Sequence, residues 1–259
     1  MTSMDDLRYV YAVCRPLTAP LQAELVGAAG TRPRQLEHDG LVAVVAHVPE
    51  RDFAEAPPRA HLEDLEWLAV TARAHQNVIA ALATVTGPLP LRLATVIRDD
   101  SGVRAMPEQE GARFRAGLDR LAGRLEWGVK VYADQADPEK ATGSAASGRD
   151  YLRRRRAERT AGEAALRRAE RFSQQLHEGL TGSSVATRTH TPQSPELART
   201  EGRNILNASY LVDREAAEQF GEQVGALKNG EPGLRVELTG PWAGYSFTDM
   251  AGDNGEEAR

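Results

Sequence analysis

The chain has 259 residues, 41% of them hydrophobic and 27% charged, which is length enough to bury a sizeable core in one or two domains. Its 37 acidic residues against 32 Lys and Arg leave a net charge of −5, which excludes a global attraction to nucleic acid or an anionic membrane. The single cysteine, Cys14, excludes an internal disulfide and the cysteine-rich metal and redox motifs.

MTSMDDLRYV opens the chain with acids where a secretory signal carries bases. The longest apolar run, LVAVVAHV, falls far short of the roughly 20 residues a bilayer requires. A cytoplasmic protein with no membrane segment is expected.

LRYVYAVC (Leu7–Cys14) is rich in β-branched and aromatic residues and reads as a strand. Thr18, Pro20, Leu21, Leu25 and Val26 suggest a short helix, stopped by Gly27 and Gly30. RQLEHDGLVAVVAHV then forms two extended segments joined at Asp39-Gly40, a hairpin signal, with Pro49, Pro57 and Pro58 opening a loop. A helix is expected from about His61 to Thr86, with Leu65, Leu68, Ala72, His75, Ile79 and Leu82 on one face. Gly87-Pro88 stops it. LPLRLATVI (Leu89–Ile97) returns as a strand whose alternation turns Leu89, Leu91 and Leu93 to one side and Arg92 to the other. After a turn at Asp99–Gly102, a helix from about Pro107 to Gly123 and the strand EWGVKVYA complete the first half.

QADPEKATGSAAS has the composition of a linker. From Arg149 to about Leu180 one helical pattern carries the stripe Ala157, Ala161, Ala165, Ala169, Phe172, Leu176 and Leu180. ILNASYLV is a strand, Asp213 an N-cap, a helix runs to about Leu227, and Leu234–Thr239 is the last strand. The fold class is α+β. A ferredoxin-like domain, with its helices on one face of a largely antiparallel sheet, occupies residues 1–134, and a flexible linker residues 135–148. A long coiled-coil-like helical segment follows at 149–182, then a smaller C-terminal α+β domain at 183–248 and a disordered tail at 249–259.

Catalytic motifs are missing. No phosphate-binding glycine loop follows a strand, the six histidines include no H-E-x-x-H, and no G-x-S-x-G elbow occurs. HLE at 61–63 lacks the P-C-x-x-C that a nucleobase deaminase requires. His75, on an apolar helix face, reads as a core histidine hydrogen-bonded to a neighbouring element. Between Arg149 and Phe172 stand nine arginines against four acids. Arg153 and Arg156 stand in the densest part of that run. It reads as a solvated face or a docking surface for an acidic protein, with a nucleic-acid-binding module as the alternative. The aromatic signature of RNA-binding strands is missing.

Four segments together resemble the L and F types of gas vesicle accessory protein. LPLRLATVI is similar to that family's LPLRFGTVF strand, and EWGVKVY (Glu126–Tyr132) to its E-W-G-V-K-V run. NASYLVD resembles N-x-x-Y-L-V, and LTGPWAGYSF resembles the terminal G-P-W-P-P-Y-S-F. Departures are Leu93-Ala94 for Phe-Gly, Ala243-Gly244 for Pro-Pro, and Gln76 where the family usually has Glu. The resemblance implies a gas vesicle assembly factor and not an enzyme, without cofactor or metal. Its implied partners are the hydrophobic shell protein and other accessory proteins. Arg92, Pro241, Trp242, Tyr245 and Phe247, with Arg153 and Arg156, are the positions singled out for partner contact. Two readings of the aromatic hook stay open: the rings seal an internal interface between domain and helix, or some of them form an exposed anchor.

Overall fold

Strand β1 (Asp6–Cys14) is buried along all but its first two residues, because both of its faces are covered. The structure, a computed structural model, describes residues 6–53, 64–134, 148–192, 202–227 and 231–248. The expected linker, apart from its last residue, the tail, the Pro57-Pro58 loop and the helix start at His61 lie outside them. The chain divides into two units, Met1–Leu125 with Trp242–Arg259, and Glu126–Pro241. The division lies at Leu125 instead of residue 134, the 149–182 helix belongs to the second unit, and Trp242 onward belongs to the first.

In the first unit β1 pairs antiparallel with β3 (Leu41–Pro49), and β3 with β2 (Arg34–His38). The β2–β3 hairpin turns at Asp39-Gly40, where both residues have positive φ, as the expected turn chemistry requires. Short helix α1 (Glu50–Phe53) follows, then α2 (Leu65–Val85), whose first turn is capped by the Asp64 carboxylate accepting from the Glu66 and Trp67 amides. Strands β4 (Leu89–Pro90) and β5 (Val96–Ile97) both pair with β1, so the described order is β2-β3-β1-β4 with β5 beside β1.

A bulge between Val10 and Ala12 shifts the β1–β3 register, so Tyr9, Tyr11, Ala12 and Cys14 all face α2. Val10, Ala43 and Val45 face the other way, onto α3 (Asp100–Leu121) through Val103. Helices therefore cover both faces of this sheet, where one covered face was expected. That explains the uninterrupted apolar run LVAVVAHV in β3, since a half-solvated strand would alternate.

Residues 15–27 contain no helix where one was expected, only a single 3-10 turn follows at Ala28–Gly30, and Leu17, Leu21 and Leu25 pack on the core from irregular backbone. The stretch between its breakers is too short for helix nucleation to compete. On α2 the buried face is Thr71, His75, Val78, Ile79 and Leu82, while Leu65 is 69% exposed. Finally, α3 starts one turn after Ile97: Asp99 caps it by accepting from the Gly102 amide and the Ser101 hydroxyl, and Pro107 lies buried inside it.

In the second unit β6 (Arg124–Ala133) lies in a four-stranded sheet of order β7-β8-β6-β9, so EWGVKVYA completes the second sheet and not the first. Its partners are α4 (Gly148–Gly182), β7 (Ala186–Thr189), β8 (Arg203–Asp213), α5 (Ala217–Leu227) and β9 (Leu234–Trp242). Strand β7 was not expected. Asp213 caps only a 3-10 turn, without a side-chain cap hydrogen bond. Contacts Gly128–Thr239, Tyr132–Arg235 and Asp134–Gly233 run in opposite directions along β6 and β9, so the pair is antiparallel. A Cβ on Gly128 would stand 2.6 Å from Thr239 Oγ1, which is why this motif holds a glycine. Val129, Val131, Tyr210, Val212, Phe220 and Val224 form the core with Leu176 and Leu180 of α4.

Candidate functional site

The segment Leu89–Ile97 is not one strand. Ala94 takes a positive φ, and the Thr95 amide and hydroxyl both donate to the Arg92 carbonyl, so the middle folds into a turn. The alternation is lost there, Leu93 is exposed, and Arg92 lines a cleft of about 370 Å3. Leu89, Leu91 and Phe114 supply its apolar wall; Arg113, paired with Glu110 at 2.7 Å, supplies its polar side with Arg92. Thr248, just beyond the hook, also lines it. The cleft residues on α3 were not singled out from sequence, because they adjoin Arg92 only through tertiary packing.

The hook divides its aromatics. Strand β9 continues through Gly240 and Pro241 to Trp242, past its expected end at Thr239. Ala243 and Tyr245 pack against the first unit's core, and Phe247 is 6% exposed. A Cβ on Gly244 would meet Leu121 Cδ2 at 2.5 Å, so the backbone lies flush on the end of α3. Trp242 is 43% exposed and Pro241 is exposed. Tyr245 thus packs on the first unit's core and Phe247 is buried, whereas the Trp242 ring is left exposed.

Beneath the hook lies an aromatic cluster. Tyr9 and Tyr11 have ring centroids 4.7 Å apart, and His75 sits 5.7 Å from Tyr9 and 6.0 Å from Tyr245. His75 Nδ1 is 2.9 Å from the Tyr9 hydroxyl, which also accepts from the Ala94 amide, and the imidazole is 3% exposed. Burial pushes the His75 pKa down to about 4, so it is neutral near pH 7. As expected it is a core histidine bonded to another element. The Cys14 thiol is buried, donates to the Val42 carbonyl and is pushed up to about 12 by burial, which keeps it protonated. Among the described residues no group of three or more His, Cys, Asp or Glu is placed to hold a metal.

Helix α4 is held by Ala169, Phe172, Ser173, Leu176 and Leu180, whereas Ala157, Ala161 and Ala165 of the expected stripe are exposed. Arg153 and Arg156 lie on the exposed part. No described helix is long and apolar enough to cross a membrane.

The sequence profile of the family described as "Gas vesicle synthesis protein GvpL/GvpF" matches residues 7–249. The chain belongs to the GvpL/GvpF family. It is 51% identical over 263 aligned residues to gas vesicle protein L of Streptomyces sp. (strain CB03234), covering 99% of this chain and 98% of that one. Gas vesicle protein F of the same strain is 26% identical, over 93% of this chain and 99% of its own length. Among solved structures, the crystal structure of the gas vesicle protein GvpF from Anabaena sp. PCC7120 superposes with a TM-score of 0.66. That comparison has 19% identity and covers 95% of this chain and 99% of that one. GvpF from Microcystis aeruginosa gives 0.66 at 18% identity. At those identities the two structures establish the fold: mixed helix and sheet, two sheets and a long helix. Membership of the GvpL/GvpF family makes this chain a gas vesicle accessory protein.

Proposed function

We propose that the chain is an L-type accessory protein that binds the hydrophobic gas vesicle shell protein, with other accessory proteins, during vesicle nucleation or formation in the cytoplasm. The observation that carries the type is the contrast of 51% identity to protein L with 26% to protein F from one organism. Its work is binding and not bond making. A shell subunit that lines a gas space presents an apolar surface that aggregates in water unless a partner covers it. Trp242, held out beside Tyr245 and Phe247, and the apolar wall of the Arg92 cleft are the surfaces suited to such cover. We read the first unit as ferredoxin-like with α3 added on the second face of the sheet: its strand order β2-β3-β1-β4 suits that arrangement, with the first crossover helix reduced to a single turn.

Co-expression with a shell protein from a gas vesicle gene cluster tests the proposal. The tagged chain retains shell protein on affinity capture, and Trp242→Ala retains less. Capture of none by the folded wild-type chain contradicts it.

A further inference from the structure

On α4 the arginines have an order that their sequence run hides. At 3.6 residues per turn, Arg149, Arg153, Arg156, Arg167 and Arg171 fall within about 60° of arc. Ala169, Phe172, Ser173, Leu176 and Leu180, which pack on the sheet, fall on the opposite side. All five arginines are exposed, so the helix carries a ridge about 33 Å long, from 22 residues at 1.5 Å each. Glu163, at the ridge's edge, is engaged sideways with Arg159 at 3.5 Å.

The ridge has a low saddle. Between Arg156 and Arg167 only Thr160 falls within that arc; Ala164, with Ala157 and Ala161 beyond it, borders it on one side and Glu163 on the other. The Thr160 hydroxyl folds back to donate to the Arg156 carbonyl at 3.0 Å, which lowers the saddle further. Cationic ends with a small-residue centre suit a helix that approaches closely in the middle and places carboxylates at each end. A nucleic-acid backbone offers evenly spaced phosphates and gains nothing from a centre that presents no arginine within the arc and a carboxylate at its edge. A second copy of the ridge would bring like charges together.

We infer that the α4 ridge docks an acidic α-helix of a partner protein, with two carboxylate clusters about three turns apart and small or apolar residues between them. Arg149, Arg153 and Arg156 receive one cluster; Arg167 and Arg171 receive the other. This rests on the reading of the chain as a binding component of an assembly. Its test uses no shell protein, so failure here leaves shell binding to be judged separately.

The probe is a fluorescein-labelled helical peptide of about 28 residues with glutamates clustered in that spacing on one face, titrated onto the full-length chain by anisotropy. An isomer of identical composition with glutamates spread around the helix, and an oligothymidine, are the comparisons. The clustered peptide binds about tenfold or more tightly than its isomer. Arg153→Gln/Arg156→Gln and Arg167→Gln/Arg171→Gln each weaken it several-fold, and Thr160→Leu weakens it while leaving oligothymidine unchanged. Circular dichroism checks that each exposed-face variant keeps its helix. Equal binding of the two peptides, or tighter binding of oligothymidine with no effect of Thr160→Leu, overturns the inference; the second result assigns the ridge to a polyanion.

Discussion

The Tyr9 hydroxyl stands 2.9 Å from Nδ1 of His75, the one buried histidine among the described residues, and ties β1 to α2. The same oxygen accepts from the Ala94 amide, so it also fixes the turn that breaks the Leu89–Ile97 segment. Tyr9→Phe leaves both a buried imidazole nitrogen and an amide without their partner. A loss of about 2 kcal/mol is expected, read as a lower midpoint in urea unfolding with an unchanged slope.

His75 also sets a pH dependence. Its folded pKa, about 4, lies below the ordinary histidine value of 6.5, so the unfolded chain binds a proton that the folded chain refuses between those two values. Stability is therefore full above pH 6.5 and falls as pH drops toward 4, by up to about 1.4 kcal/mol per pH unit. His47, lowered chiefly by burial and then by Arg8 and Arg34, adds in the same direction. Denaturant unfolding at a series of pH values reads the slope. His75→Gln flattens it; an unchanged slope in that variant assigns the effect elsewhere.

At the start of α3 the Arg8 Nε donates to Asp100 Oδ1 at 2.6 Å, and Arg34 donates to the same oxygen. These two guanidiniums hold the Asp100 carboxyl well below the usual range, chiefly through the Arg34 hydrogen bond. Arg8 is buried, so Asp100→Asn leaves a cation without its counter-charge and costs about 2 kcal/mol. The loss disappears below the acid range in which wild-type Asp100 is itself protonated. Thermal melts at neutral and strongly acidic pH check it.

Gly128→Ala places a methyl 2.6 Å from Thr239 Oγ1 and destabilises the second sheet by about 1–3 kcal/mol. Adding Thr239→Ala removes that oxygen and leaves the nearest remaining atoms about 3.9 Å away, an ordinary contact. The double variant therefore recovers most of the loss. A double-mutant cycle without coupling contradicts the close approach of β6 and β9.

The elements with strong local signals were legible in the sequence: β1, the Asp39-Gly40 hairpin, the 149–182 helix, and β8 with its following helix. What escaped depends on long-range packing. Strand β6 has the same composition whichever sheet takes it, and only pairing with β8 and β9 decides. Leu89–Ile97 alternates like a strand, yet the Tyr9 hydroxyl and the positive φ at Ala94 make a turn of its middle. Leu21, Leu25 and Val26 are spaced like a helix, but Leu21 and Leu25 reach the core without one. Of the partner positions, the hook's aromatics were visible as a cluster. Their division into one exposed ring and two tethers was not, since it follows from how 243–248 lies on the first unit's core.

That division is measurable. Phe247→Ala removes a buried ring and costs about 3 kcal/mol, whereas Trp242→Ala, at a ring already 43% exposed, costs about 1 kcal/mol or less. Equal losses, read by urea unfolding, make Trp242 another structural tether.

Light scattering of shell protein diluted from denaturant, with and without the full-length chain, tests shell binding most directly. An equimolar amount of the chain delays and lowers the scattering, Trp242→Ala does so less, and the two proteins elute together on gel filtration. Scattering traces that superpose with and without folded chain, and no co-elution, contradict the proposed function.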